Sequence, residues 1–172
     1  AVGAAIEAQD LAAIQKIAKD ENEAGANFID VNAGIFVGKE PEYMEWLVKG
    51  VQEVVDGPCC IDSPDPKVIG GILPLVEKTP MINSITLEPS RLDAILPLAA
   101  EHGARVIALC QSAEGLAETA DRKVQMAHEL VEKAAQAGIP RDFLYVDPLV
   151  YPIATNPLSA AATLEAIATI KK

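Results

Sequence analysis

Short apolar runs alternate with longer helical patterns along the whole chain. Alanine-rich stretches with helical spacing lie at about 5–24, 41–55, 65–78, 89–102, 118–137 and 157–171. Between them are five strand-like runs: NFIDVNAG (27–34), GPCCIDS (57–63), PMINSIT (80–86), RVIALC (105–110) and FLYVDPLV (143–150). This order predicts alternating helices and strands without a change of composition between the two halves.

Start and stop residues support the predicted helices. Prolines that suit a first turn, two candidate N-caps and three glycines at helix ends occur in the expected places: Pro41, Pro66, Pro89, Thr119, Asn156, Gly25, Gly103 and Gly138. Each connection between strands is one helix long, which predicts a parallel sheet. Periodicity alone leaves two choices, a doubly wound open sheet and a (β/α)₈ barrel.

Polar residues recur at the carboxyl ends of the predicted strands. They are Asp30 and Asn32 in the first strand, then Asp62, Asn83 and Asp147. By strand alternation they lie on the face opposite that of Ile29, Val31, Ile61, Ile82, Leu144 and Val146. A barrel with its active site at the carboxyl rim accounts for polar residues on four of the five strands better than an open sheet does. The prediction is therefore an α/β fold, a parallel (β/α)₈ TIM barrel represented by about five central βα units.

Composition excludes several classes of partner and site. The chain of 172 residues is 50% hydrophobic and carries a formal charge of −11, which disfavours nucleic acid and anionic membranes as partners. Cys59 and Cys60 are adjacent, so their side chains point to opposite sides of a strand and no metal site is predicted. We expect one domain over residues 1–172, an incomplete barrel, in a cytoplasmic protein. If the rest of the barrel is absent, strand edges and apolar helix faces are left uncovered, and association or poor solubility is expected. A homodimer is the expected state.

The usual catalytic motifs are missing, and no catalytic residue is assigned. The chain has no GxGxxG, GxxxxGK[ST] or GxSxG motif, which argues against dinucleotide, nucleoside triphosphate and serine hydrolase sites. His102 and His128 are interpreted as surface residues, and Cys110 as a packing residue. The acidic run in the stretch 118–137 is interpreted as a solvated face that comprises Glu118, Asp121, Glu129 and Glu132, with Arg122 and Lys133.

Several motifs together resemble a known family. DVNAG (30–34), CIDSPDP (60–66), INS (82–84), LPLAAEHGARVIAL (96–109) and YVDPL (145–149) resemble the pterin-binding, dihydropteroate synthase-like barrels, in the family's order and through nearly the whole chain. They are most similar to the methyltetrahydrofolate:corrinoid-protein methyltransferases. Dihydropteroate synthases usually continue the first of these strands into Gly-Gly-Glu-Ser-Thr-Arg-Pro and have IND where this chain has INS, so the methyltransferase branch is favoured.

The resemblance implies a site and a reaction. Asp62, Asn83 and Asp147 are implied to bind the pterin ring, with Asp30 and Asn32 as further contacts or supports, and Ser63 and Ser84 as helpers. The implied enzyme, active in one-carbon metabolism, moves a methyl group from N5 of methyltetrahydrofolate to the cobalt of a corrinoid (cobalamin) cofactor. That cofactor is carried by a partner protein, and no metal is bound by this chain itself.

The family's pattern also leaves alternatives open. Its barrel normally has a strand before the position of Ala1 and two βα units after Lys172, including an Asn thought to contact N5. The 172 residues alone are therefore not expected to catalyse the reaction. The alternatives are a dihydropteroate synthase, a pterin-binding module without catalysis, and an unrelated barrel that acts on sugar phosphates.

Overall fold

The computed structural model describes residues 2–171 and contains the predicted alternation of helices and strands. The helices are α1 (Val2–Glu7), α2 (Leu11–Glu23), α3 (Glu40–Gln52), α4 (Pro66–Ile72), α5 (Pro89–Glu101), α6 (Ala120–Gln136) and α7 (Ser159–Ile170). The strands are β1 (Ile29–Asn32), β2 (Cys59–Asp62), β3 (Met81–Ile85), β4 (Arg105–Leu109), β5 (Gln111–Ser112), β6 (Gly115–Leu116) and β7 (Leu144–Asp147), and two 3₁₀ turns span Leu73–Leu75 and Arg141–Phe143. All five predicted strands are confirmed.

The chain forms two compact units. Unit 1 comprises Ala1–Asn83 with His102–Ala104. In it β1 pairs with β2 and β2 with β3, all parallel and in sequence order. Because parallel neighbours need a crossover, α3 and α4 connect these strands.

Unit 2 comprises Ser84–Glu101 and Arg105–Lys172. Here β4 pairs with β7 in parallel, and α6 is the long crossover between them. The short strands β5 and β6 form an antiparallel hairpin that the sequence did not indicate. The α/β class with parallel strands is thus confirmed in both units.

Alternation along the strands is also as predicted. In unit 1 the apolar set is buried, with Ile61 and Ile82 wholly inaccessible to solvent. On the other face Asp30 and Asn32 are exposed, while Asp62 and Asn83 are half-buried. The apolar face therefore packs under the helices, and the polar side chains lie on the opposite face.

Some helix boundaries differ from the prediction. The stretch 5–24 is two helices, because Gln9 has a positive φ of 49° and the Asp10 carboxylate caps α2 by accepting the Ala13 N–H. The stretch 65–78 leaves the α-helical conformation after Ile72. Thr119 caps α6 as expected, whereas α7 begins at Ser159 and its N-cap position is Leu158, because Asn156 uses its side chain to accept the Leu158 N–H in a turn.

None of the helices in residues 2–171 is both long and apolar enough to span a membrane.

Candidate functional site

Three strand ends in unit 1 present their polar side chains in one row. The register places Asn32 opposite Asp62, and Asp62 opposite Asn83. Because strands in register point their paired side chains to the same side, these three lie next to one another on the polar face. The row predicted from alternation is therefore present within this unit.

Asn32 fixes the orientation of Asp62. Its Nδ2 donates a hydrogen bond to Oδ2 of Asp62 at 2.7 Å, and its Oδ1 accepts the Gly34 N–H at 2.8 Å. The backbone passes close here, since a Cβ at Gly34 would lie 3.3 Å from Oδ1 of Asn32 and 3.3 Å from Cδ of Pro64. With both ends of its amide engaged, Asn32 is a rigid support for the carboxylate.

Asp30 lies one layer deeper, opposite Cys60. Although solvent reaches Asp30, the protein atoms packed around its carboxyl group desolvate it and raise its pKa, and the negative charge of Asp62 raises that pKa further. A hydrogen bond with the Cys60 thiol opposes the shift. The pKa of Cys60 is itself raised, first by burial and then by the charge of Asp30, so this cysteine stays a neutral donor. Asp30 thus retains a proton at higher pH than an ordinary aspartate.

Ser63 ties two loops of unit 1 together. Its hydroxyl donates to Oε1 of the buried Glu40 at 2.5 Å and accepts the Asp65 N–H at 3.1 Å. The side chain is buried, so the serine expected as a helper in ligand binding joins the β2–α4 loop to the start of α3. Ser84, in unit 2, is also buried, and its carbonyl oxygen accepts a hydrogen bond from Nε of Arg91 at 2.8 Å.

In unit 2 the polar strand end is Asp147. It terminates β7 in register with Leu109, and its side chain is exposed. Oδ1 of Asp147 accepts the N–H of Leu149 at 2.8 Å, so one carboxylate oxygen is held by the following turn. Oδ2 takes no part in this turn.

Cys110 is buried and His128 is exposed, as predicted, whereas His102 is less exposed than the predicted surface residue. Cys110 is inaccessible to solvent, and burial raises its pKa to about 11, the positive charge of Lys123 opposing the shift. A thiol that keeps its proton suits a packing role. His128 is exposed in the middle of α6, and His102 is half-buried after α5.

Lys123 is the residue that sequence reasoning missed. The solvated face predicted for α6 did not include Lys123, and no role was assigned to this lysine, which is completely buried. A signal was present: Lys123 precedes Met126, Ala127 and Leu130 at helical spacing, and these form the buried stripe of α6.

Among residues 2–171, no group of three or more His, Cys, Asp or Glu side chains is arranged to hold a metal ion.

Comparisons with known proteins agree with the motifs. The sequence profile of the family described as "Pterin binding enzyme" matches residues 3–172. The methylcorrinoid:tetrahydrofolate methyltransferase of Eubacterium limosum is 35% identical over 154 residues, which cover 88% of this chain and 57% of that protein. The methionine synthases of Mycobacterium tuberculosis and Mycobacterium leprae are 31% and 30% identical over 176 residues, covering 96% of this chain but 15% and 14% of those proteins. The chain therefore spans just over half of the first relative and a small part of the other two.

Proposed function

Because this chain belongs to the family of pterin-binding enzymes, whose fold is the TIM barrel, we propose that its protein transfers a methyl group between methyltetrahydrofolate and a corrinoid protein. The observation that carries the proposal is the row of Asn32, Asp62 and Asn83, in which a carboxylate is held in one orientation beside an amide. The name of the first relative contains both methylcorrinoid and tetrahydrofolate, which favours a methyltransferase over a dihydropteroate synthase.

The side chains of the proposed site match the edge of a pterin ring. An aminopyrimidinone presents N–H donors, which a carboxylate accepts, and a ring nitrogen and oxygen, which an amide can serve as donor or acceptor. In unit 1 these groups are Asp62 and Asn83, and in unit 2 the proposed contact is Asp147. Asn32 supports Asp62 in this proposal and Asp30 lies beneath it.

The chemistry of N5 gives Asp30 a role. When the methyl group leaves N5, the electron pair of the C–N bond stays on nitrogen, which then takes a proton. The cobalt of the partner's corrinoid supplies the nucleophile. Asp30 is desolvated and its pKa is raised, so it is the carboxyl group of unit 1 best suited to hold that proton, which a water molecule would relay.

A corrinoid protein is the proposed partner, and the loop after β1 offers it an apolar surface. Ile35 is 75% exposed and Val37 is 94% exposed, and both follow Asn32 closely in the chain. Large apolar side chains that project into solvent beside a polar site are typical of a contact surface. We further propose that residues 1–172 belong to one pterin-binding methyltransferase domain of a cytoplasmic protein.

The test is a spectroscopic transfer assay on the full-length protein. Mixed with methyltetrahydrofolate and a corrinoid protein in the cobalt(I) state, it is expected to produce methylcobalt. The reverse mixture of methylcorrinoid and tetrahydrofolate gives the rate in the opposite direction, and comparison of the two rates shows which direction is faster. The same residues serve both directions. Turnover of the pterin without corrinoid would contradict the proposal, consumption of p-aminobenzoate would indicate a synthase, and binding without transfer would indicate a pterin-binding module.

A further inference from the structure

Lys123 of α6 has a solvent exposure of 0%. Lysine is among the residues least often fully buried, because its ammonium group loses its hydration inside a protein. Burial accordingly lowers the pKa of Lys123, and the negative charge of Asp147 opposes this shift. Because its desolvation is costly, a buried charged group is normally hydrogen-bonded to specific partners.

The partners of Lys123 are two consecutive backbone carbonyls. Nζ donates to the oxygen of Pro148 at 2.8 Å and to the oxygen of Leu149 at 2.9 Å. Both residues directly follow Asp147, the polar end of β7. The ammonium group therefore acts on the turn that carries this carboxylate, through hydrogen bonds strengthened by its charge.

This turn has a backbone conformation that a leucine rarely adopts. Leu149 has a φ of 55°, in the left-handed region where a side chain crowds the backbone. Its carbonyl oxygen accepts a second hydrogen bond, from Oγ1 of Thr163 in α7 at 2.8 Å. Such a conformation persists only where its surroundings enforce it, and Lys123 and Thr163 do so here.

The held turn sets the direction of the Asp147 carboxylate. With Leu149 in the left-handed region, its N–H donates to Oδ1 of Asp147 at 2.8 Å. If the turn relaxed, this bond would be lost and the carboxylate would be free to rotate about its side-chain torsions. Lys123 also places a positive charge near the negative charge of Asp147.

We propose that Lys123 is a positioning residue for pterin recognition, which holds the turn at residues 147–149 so that the Asp147 carboxylate meets the ring. This inference rests on the proposed function, because it concerns the same site. Lys123 itself does not touch the ligand. It acts through Pro148 and Leu149.

A double-mutant cycle on the full-length protein tests the inference. Lys123→Met keeps a side chain of similar length but removes the ammonium group, and it is expected to weaken binding of methyltetrahydrofolate about tenfold by calorimetry. In the Asp147→Ala background the same change is expected to cost less than about twofold, because the group through which it acts is gone. Lys133→Met, on the same helix but half-buried, is the matched control and is expected to leave affinity unchanged.

Kinetics separate positioning from loss of folded protein. In Lys123→Met the KM for methyltetrahydrofolate is expected to rise about tenfold with kcat within about twofold, whereas partial unfolding lowers kcat and leaves KM unchanged. If Lys123→Met does not fold, Thr163→Val releases the second bond to Leu149 and completes the same cycle. It is expected to weaken binding about threefold, and only where Asp147 is present.

The outcomes distinguish this inference from the proposed function. An equal loss of affinity in the presence and absence of Asp147 would mean that Lys123 serves the structure in general, and no loss from Lys123→Met would overturn the inference directly. If Asp147→Ala alone leaves affinity unchanged, the assignment of Asp147 to the pterin is wrong, and the inference is overturned together with it.

Discussion

Asp62 and Asn83 lie side by side at the ends of β2 and β3. Mutation can distinguish their roles, because a carboxylate only accepts hydrogen bonds whereas an amide also donates them. Asp62→Ala is expected to weaken pterin binding tenfold or more, since ring N–H donors are left unpaired at about 1–3 kcal/mol. Asn83→Asp is expected to be as harmful as Asn83→Ala, because an acceptor-only group replaces one that also donates. Calorimetric titration of folate measures both, with the exposed His128→Ala as the control. If Asp62→Ala leaves the affinity unchanged, Asp62 shapes the turn after β2 and does not bind the pterin.

The support given by Asn32 leads to a prediction of its own. Asn32→Ala removes the donor to Asp62 and the acceptor of the Gly34 N–H, at a cost of about 1 kcal/mol per bond. Because only the bond to Asp62 orients a proposed ligand group, we expect pterin affinity to fall about fivefold, which corresponds to about 1 kcal/mol. Asn32→Asp is expected to be worse, because it adds a third carboxylate next to Asp30 and Asp62. Equal affinities for the two variants would argue against an electrostatic role for this row.

Asp30 makes the stability of the fold depend on pH. Its pKa in the folded protein is above the ordinary value of 3.8, so its favourable contribution is present below that value and is lost as pH rises through the raised pKa. Asp30→Asn is therefore expected to raise the melting temperature at about pH 7, and the gain is expected to disappear at about pH 3. Thermal unfolding followed by circular dichroism measures both.

Asp56 provides a control, because its pKa is shifted in the opposite direction to that of Asp30. Its pKa is lowered by its hydrogen bond and ion pair with Lys78, at 2.7 Å, and both side chains are exposed. The stabilisation is present above the ordinary pKa and lost as pH falls through the lowered value, so Asp56→Asn is expected to be neutral or slightly destabilising at about pH 7. A rise in melting temperature for both variants would reflect a general loss of negative charge instead.

At the scale of the element, α6 depends on its N-terminal cap. The Thr119 hydroxyl accepts the Arg122 N–H at 3.3 Å, one residue before the buried Lys123. Thr119→Ala is expected to lower the free energy of unfolding by about 1 kcal/mol, and Thr119→Ser to restore most of it. Urea denaturation is the measurement. Thr169→Ala, near the end of α7, is the control, with an expected change below about 0.5 kcal/mol.

Local rules explain why the strands and the polar rows were predictable. The period of two in a strand places Asp30 and Asn32 on one face in any sheet, and β2 and β3 follow the same rule. The break before α2 was missed because the short pattern around Gln9 reads as continuous helix. The hydrogen bonds of Lys123 to Pro148 and Leu149, and the bond from Asn32 to Asp62, were not predictable, since each depends on which segments meet in three dimensions.

At the scale of the whole molecule, charge and exposed apolar surface oppose each other. The net charge of −11 and a pI of about 4.6 keep copies of the chain apart at neutral pH. In unit 2, however, Val150, Ile153, Leu158 and Leu164 are all large, apolar and exposed within a short stretch of sequence. Surface of this kind is normally covered by a partner, and a second copy of the protein fits the expected homodimer.

The dimer prediction is tested by charging that surface. Leu158 is 76% exposed and Leu164 is 68% exposed, so Leu158→Glu and Leu164→Glu remove little packing within the unit but place a charge where the other copy would bind. We expect the full-length protein to sediment as a dimer and the double variant as a monomer. Val37→Glu adds the same charge to unit 1 and is expected to leave the dimer intact. Dissociation by Val37→Glu alone would move the interface to the loop after β1, and that loop would then be unavailable to a corrinoid protein.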